Sequence, residues 1–391
     1  MLTIYQTPAY RNAMNEAKKR IALAVTLAEI GGVQVFLLEF AQYLKKMGHE
    51  VTILAGTGTW LAEQAKTHEI NFIRLNHMRR DISPIQDILA IRELNQLFRQ
   101  HHFDAVHLNS TKMGVLGSIA CNIAKINRVV YRIGGWVFLE KLPSWKRQIY
   151  IYAERFTARF KDTIICVNPS DETEAAKHSI KPKSKVITIP NGIDFVRFES
   201  NLLSKNEART KLGLKHDGTV IGSVSNFYAP KNIPAYIDTI RNVIDQNPSL
   251  HFVLVGDGPE RKRIEQKITD LNLTESITLA GEQNNASALL RAFDIFTLPS
   301  TKEGMSWSLL EAMAASLPCV ATDVGAAKWM LDDADGIIVP PSDAQALTRA
   351  ILELTNNETK RIQLGQNAKE AVQNRFPLEK TLSGNASALL D

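Results

Sequence analysis

Short β-rich apolar runs alternate with longer helix-patterned segments along almost the whole chain, and few folds accept that pattern. In the first half the runs are Ile21–Leu27, Val51–Leu54, Ala105–Leu108, Val129–Ile133 and Thr163–Val167. In the second they are Val220–Val224, Phe252–Val255, Ile277–Leu279, Ile295–Leu298, Cys319–Ala321 and Ile337–Val339. Between the first two runs, Val33, Phe36, Leu37, Phe40, Leu44 and Met47 recur at three- and four-residue steps, which is one apolar helical face. Another helix opens at Ser83-Pro84, a cap residue before a proline whose fixed φ suits a first turn. This alternation implies an α/β protein whose parallel sheets are covered on both faces. Ligand sites in such sheets lie at the carboxyl ends of the strands.

A length of 391 residues allows two or three domains, and two series of alternation suggest two doubly wound, Rossmann-like ones. The Lys-rich stretch 181–185, containing Pro182 and soon followed by Pro190-Asn191-Gly192, marks the expected break. The expected bounds are residues 1–185 and 186–365, with 366–391 as terminal helices packing back toward the first domain. Helices beginning near Asp343, Asn357 and Leu378 close the chain with no strands between them.

The formal net charge of +5 hides an uneven distribution. Residues 1–185 hold 26 Lys and Arg against 16 Asp and Glu, and the remainder holds 20 against 25. A basic half joined to an acidic half suggests two bodies that face different partners. The total is too small for a nucleic-acid binder, and no basic-aromatic RNA motif occurs. No apolar stretch approaches the ~20 residues of a spanning helix. The N-terminus lacks a signal-peptide layout, and Met1–Lys19 reads as an irregular lead-in. Cys121, Cys166 and Cys319 stand apart without metal-ligand spacing and read as buried thiols of a reducing compartment. A cytoplasmic location is expected.

The strongest chemical signal is Glu303-Gly304-Met305-Ser306-Trp307-Ser308-Leu309-Leu310-Glu311. It follows the run Ile295–Leu298 and leads into a helix, so two carboxylates stand on a loop and on the first turns of the helix it feeds. Loop amides and a helix N-terminus favour an anion, and a carboxylate grips vicinal hydroxyls of a sugar. Taken alone, the pair reads better as a capping acid, Glu303, and an exposed helical residue, Glu311.

It does not stand alone. Ile189-Pro190-Asn191-Gly192-Ile193-Asp194, Val255-Gly256-Asp257-Gly258-Pro259-Glu260 and Glu311-Ala312-Met313-Ala314-Ala315-Ser316-Leu317-Pro318-Cys319-Val320-Ala321 accompany it in order. With these blocks the chain, from about Ile21 onward, resembles the family-four retaining glycosyltransferases of the GT-B fold, two Rossmann-like domains whose parallel sheets face a central cleft. The resemblance implies transfer of a sugar from a nucleoside diphosphate sugar to an acceptor hydroxyl, in polysaccharide or glycolipid synthesis, without cofactor or metal. It implies that Glu303 contacts the donor sugar, with the amides of Gly304, Met305 and Ser306 on its hydroxyls. Glu311 would hold the nucleotide ribose, and Gly281–Gln283 would border the base. Lys231 would neutralise the diphosphate, assisted by Asn226 and by amides of Ser308 and Leu309. Gly31-Gly32 would let the backbone of the first domain approach the diphosphate. Asn109, Arg132 and Gly134 would lie on the acceptor side, facing a glycan or lipid-linked acceptor. The net positive charge of the first half, on that expected acceptor side, points to an anionic glycan, a lipid-linked acceptor or the inner face of the cell membrane touched peripherally.

Three departures accompany the match. Asn226 stands where the family usually has arginine, and Gly134 where it usually has a histidine near the reaction centre. Gly325-Ala326-Ala327-Lys328 lacks the family's second glycine and a following glutamate. Asn226 and Gly134 motivate a second reading, a catalytically reduced GT-B protein that binds a nucleotide sugar or a partner without transfer. A sugar-nucleotide epimerase lacks support from the glutamate loop.

Other signals read blandly. Asp333-Ala334-Asp335 suits a solvated turn, His101, His102 and His107 gather near a helix end, and Gly256-Asp257-Gly258 suits a strand-end turn. The segment Trp136–Lys161 mixes aromatic with basic residues, and two readings stay open. It suits an anionic membrane or lipid-linked acceptor, and equally an amphipathic helix packed on the sheet.

Overall fold

The computed structural model describes residues 17–214 and 218–391, so the lead-in expected over Met1–Lys19 lies outside them up to residue 16. In the first half the strands are β1 (Arg20–Val25), β2 (Glu50–Ala55), β3 (Asn71–Arg74), β4 (Ala105–Asn109), β5 (Arg128–Arg132), β6 (Thr163–Cys166) and β7 (Lys185–Thr188). They form one parallel sheet in the order β3-β2-β1-β4-β5-β6-β7. In the second half, β8 (Val220–Val224), β9 (His251–Val255), β10 (Ile277–Gly281), β11 (Ile295–Leu298), β12 (Cys319–Thr322) and β13 (Gly336–Val339) form another parallel sheet. Its order is β10-β9-β8-β11-β12-β13. Two doubly wound α/β units are the result.

Two strands lie beyond those expected, β3 and β7, and both are sheet edges. An edge strand has one neighbour and less cover, so Asn71–Arg74 and Lys185–Thr188 each need only two apolar residues and stay partly exposed. The Lys-Pro stretch before β7 is therefore an entry turn rather than a boundary. Lys183 and Ser184 donate their backbone N–H groups to the carbonyls of Lys161 and Asp162, at 2.9 Å each.

The first unit accordingly runs to Pro190, not to residue 185, and takes back Glu379–Asp391. The second is Asn191–Leu378, so the chain returns at 378–379 rather than after residue 365. Helix Glu358–Arg375 stays with the second unit, where Gly365 lies against the backbone of Ser316. Helix Leu378–Leu390 joins the first, where Thr381 Oγ1 donates to the Pro190 carbonyl (2.9 Å) and Arg128 Nη2 donates to the Ala388 carbonyl (2.7 Å).

On one face of the first sheet, helices Pro84–His101, Thr111–Ala124 and Ser144–Ala158 bury Leu94, Phe98, Met113, Ala120, Ile151 and Ala158 in a common core. Ser83 stands at the N-cap as expected, but its hydroxyl caps nothing, and Asp87 accepts its backbone N–H instead (3.3 Å). All three cysteines are buried and free.

His107 is not at a helix end. It lies in the interior of β4, bonded to Asn385 Oδ1 (3.2 Å) and Asn109 Nδ2 (3.0 Å), with the Phe40 ring 5.2 Å away. Burial, with the charge of Arg132 added, pulls its pKa down to about 3. Because the folded value lies below the unfolded ~6.5, the unfolded chain gains a proton that the folded one refuses as pH falls from 6.5 toward 3. Stability is held above 6.5 and lost below it, by about 2 kcal/mol at pH 5. Urea unfolding at pH 7 and pH 5 checks this, because His107→Gln should flatten the acid loss; an unchanged loss would exclude His107 as its source.

Candidate active site

In the second sheet β8 and β11 are neighbours although β9 and β10 lie between them in sequence, so the strand order reverses there. Such a reversal opens a crevice at the carboxyl edge, where ligands of doubly wound sheets bind. Lys231 follows β8 and Glu303 follows β11, so the two stand on either side of that reversal.

The turn after β8 is fixed by its neighbour strand. Ser225 donates its N–H to the Val255 carbonyl (3.0 Å) and Phe227 to that of Asp257 (2.8 Å). At Gly256, φ is +140° and a Cβ would collide with the Ser225 carbonyl, so glycine is required there. The two loops are also tied to each other. Thr301 donates its N–H to the Pro230 carbonyl (2.8 Å), and Asn232 Nδ2 donates to the Pro299 carbonyl (3.2 Å).

On this frame Lys231 Nζ meets Glu303 Oε1 at 2.6 Å, and Ser300 Oγ donates to the same oxygen at 2.7 Å. Both charged side chains are part-buried, so the pair is shielded from bulk water yet reachable. An ammonium beside a carboxylate at a strand-end crevice can separate to serve an anion and a sugar hydroxyl.

The loop beyond Glu303 is held by two separate segments, at Asn191 and at Gly325-Ala326. Asn191 Nδ2 donates to the Met305 carbonyl (2.9 Å), and Ala326 N–H to the Gly304 carbonyl (2.7 Å). Gly325 has φ +56°, and a Cβ there would run into the carbonyl oxygens of Glu303 and Gly304. Gly325→Ala should therefore weaken donor affinity by about tenfold, near 1.4 kcal/mol, through displacement of this loop. Equilibrium titration with nucleoside diphosphate checks it, and unaltered affinity would mean that the loop position is immaterial.

The helix Trp307–Ala314 starts on Ser306, whose Oγ accepts the Leu309 N–H (3.3 Å) and lies 3.1 Å from Ser308 Oγ. The Leu309 N–H, expected near the donor phosphates, is here taken up by the Ser306 side chain that caps the helix. The amides of Trp307 and Ser308 have no acceptor within the helix by its geometry. Glu311 lies one turn further in and is half-buried. Gln283 follows β10, with its Nε2 committed to the Ala280 carbonyl (2.8 Å). Asn226 is exposed.

In the first sheet the same reversal falls between β1 and β4. Gly32 opens the helix Gly32–Lys46 after β1, and Asn109 ends β4. Two of the three residues expected on the acceptor side are buried. Asn109 turns its amide to the Ala24 carbonyl (3.3 Å) and to His107, and the Arg132 guanidinium lies 4.1 Å over the Phe36 ring. Burial lowers the Arg132 pKa to about 9. Both belong to central strands, where the side chains of the last residues are still covered. Gly134 alone is exposed, and a Cβ on it would meet nothing within 4 Å.

The structure thus joins Lys231, Glu303 and the 304–306 loop, and adds Ser300, Asn191 and Gly325, which no spacing rule marks as partners. Asp333 is exposed and Asp335 lies 3.8 Å from Arg375, in a turn. Among the described residues no three His, Cys, Asp or Glu converge as a metal site.

Sequence comparison matches residues 204–371 to the family model described as glycosyl transferases group 1, and residues 30–197 to that described as glycosyltransferase family 4. The chain is 29% identical over 306 residues to an Escherichia coli UDP-Gal:α-D-GlcNAc-diphosphoundecaprenol α-1,3-galactosyltransferase, covering 77% of this chain and 79% of that one. It is 23% identical to the capsular polysaccharide biosynthesis glycosyltransferase CapM of Staphylococcus aureus, over 86% and 88%. The fold matches that of Anabaena HepE in complex with UDP and glucose, with TM-score 0.79, 21% identity and coverage of 94% and 98%. It also matches sucrose-phosphate synthase of Thermosynechococcus elongatus, with TM-score 0.80, 20% identity and coverage of 95% and 98%. The two family models together account for most of the chain, each sheet is of the Rossmann-like kind, and the chain belongs to the family-four glycosyltransferases of the GT-B fold.

Proposed function

We propose that this glycosyltransferase moves a sugar from a nucleoside diphosphate donor to an acceptor hydroxyl with retention of configuration, without a metal, in making a cell-surface polysaccharide or glycolipid. The observation that carries the reading is the Lys231–Glu303 pair at the β8–β11 reversal. Lys231 would turn from Glu303 to the diphosphate and offset the charge it gains as the sugar C1–O bond breaks. Glu303 would then accept a sugar hydroxyl, with the loop 304–306 alongside. Asn226, the Ser308 amide and the other unpaired helix-end amide would add donors to the phosphates, and Glu311 would hold the ribose. The acceptor oxygen bonds to C1 on the face the diphosphate leaves, and its proton passes to a leaving phosphate oxygen. A diphosphate-linked lipid acceptor is supported by what the galactosyltransferase relative is named for.

The test incubates the protein with UDP-, GDP-, ADP- and dTDP-sugars and a polyprenyl-diphosphate-linked sugar, with and without chelator. The expected product keeps the donor's anomeric configuration by NMR and forms in chelator. An inverted product, or loss of activity in chelator, would overturn the mechanism. Tight donor binding without turnover would favour the second reading, which the exposed Asn226 and the open space beside Gly134 support.

A further inference from the structure

The helix Ser144–Ala158 carries apolar side chains on two opposite faces, and only one of them is used by the fold. Inward, Ile151, Glu154, Thr157 and Ala158 are buried. That face is locked by the buried Lys161 ammonium, 2.9 Å from Glu154 Oε2 and 3.1 Å from Thr157 Oγ1. Outward stand Trp145, Ile149, Tyr152 and Phe156, which are 62%, 55%, 63% and 50% exposed. Their spacing of four, three and four residues places them within an arc of roughly 60° on the helix. Single exposed apolar residues are ordinary, but a continuous stripe of large ones over three turns is not.

Along the stretch of chain that carries the stripe the charges are nearly all of one sign, with Glu140 standing just before it. Residues 141–159 contain Lys141, Lys146, Arg147, Arg155 and Arg159, and their single carboxylate, Glu154, is buried. Two of the cations already cover stripe rings: Lys146 Nζ lies 5.4 Å from the Trp145 centroid and the Arg159 guanidinium 4.7 Å from that of Phe156. A long cation lying on an aromatic ring keeps its charge at the level of a headgroup while the ring enters the acyl boundary. No helix among the described residues is long and apolar enough to cross a membrane.

We propose that this stripe is a docking surface for an anionic lipid bilayer, with the helix lying in the interface plane. Aromatic and aliphatic side chains supply the apolar insertion, and the five cations supply attraction to acidic headgroups. The proposal goes beyond the donor chemistry and stands without it.

Flotation of the full chain with vesicles tests it, using equal parts phosphatidylglycerol and phosphatidylcholine, or phosphatidylcholine alone, with neither nucleotide nor acceptor present. A failed transfer assay is thereby read separately. The chain should float with the anionic vesicles, at least about tenfold better than with neutral ones, and lose this in 1 M salt, where the screening length falls to ~3 Å. The combined variant Trp145→Ser, Ile149→Ser, Tyr152→Ser, Phe156→Ser should bind anionic vesicles more than about tenfold less while melting as the parent does, since none of the four is in the core. Lys146→Glu with Arg155→Glu, which leaves the apolar stripe in place, should give a comparable loss. Absence of flotation, equal binding by the variants, or equal binding to neutral vesicles would overturn the proposal. Self-association in sedimentation equilibrium that the four serines abolish, without vesicle binding, would assign the stripe to a second copy instead.

Discussion

Lys231→Ala should lower kcat by about 10²–10³-fold, the usual loss when one positioned donor to a developing negative charge is removed. The diphosphate gains charge as the glycosidic bond breaks, so an ammonium there acts more on the transition state than on the bound donor. Its pairing with Glu303 at 2.6 Å adds a second consequence. Without Lys231, Glu303 keeps only the Ser300 hydroxyl among its described side-chain partners and repels the incoming phosphates. Lys231→Arg keeps the charge but not the compact geometry, and should recover part of the rate. Steady-state kinetics with a saturating acceptor checks the series; equal kcat for Lys231→Ala and the parent would remove Lys231 from the chemistry.

The largest effect on stability is expected at Glu154→Ala. Lys161 is completely buried, and its ammonium is held by Glu154, by Thr157 and by the Tyr131 ring 4.2 Å away. Burial lowers the Lys161 pKa, with Glu154 opposing that shift. Removing the carboxylate leaves an unpaired buried charge and also takes away the acceptor of the Tyr131 hydroxyl, which donates to Glu154 Oε1 at 3.1 Å. Breaking such a pair costs about 3–5 kcal/mol, whereas replacing both partners by apolar groups is far cheaper. For a unit of this size the single change should lower Tm by roughly 10 °C. Glu154→Leu with Lys161→Met should restore most of it. A calorimetric scan that finds the double variant as unstable as the single would show that the charges, not the unpaired ammonium, hold the helix.

Much of this architecture was legible in the sequence because buried parallel strands must be continuous apolar runs. Eleven of the strands announce themselves that way, whereas β3 and β7 do not, since an edge strand with one neighbour and partial cover needs few apolar residues. Domain bounds were less legible for the same reason: Lys181–Lys185 has the composition of a linker but serves as the turn into an edge. At the candidate site, motif context marked Glu303, Glu311 and Lys231, and the fold brings Lys231 and Glu303 into contact. Side-chain direction was not legible. Asn109 and Arg132 occupy strand ends that spacing alone leaves ambiguous, and both are buried; the Leu309 amide is taken up by Ser306 because a helix must cap its own first turn. Ser300 and Gly325 act through contacts between loops far apart in sequence, which no local pattern encodes.

The acidic balance of the second half, 20 cations against 25 carboxylates beyond residue 185, does not oppose an anionic donor. Net charge is screened beyond ~8–10 Å, while Lys231 and the loop amides, in the roles proposed for them, would act at contact. The most direct test of that claim is calorimetric titration of UDP and the other nucleoside diphosphates into the parent and into Glu311→Ala. The parent should bind at least one of them in a single site, and Glu311→Ala should bind it at least about tenfold more weakly, through loss of the ribose contact proposed for its carboxylate. Equal affinity in the two proteins, or no binding of any nucleoside diphosphate by the parent, would contradict a donor site at the β8–β11 reversal.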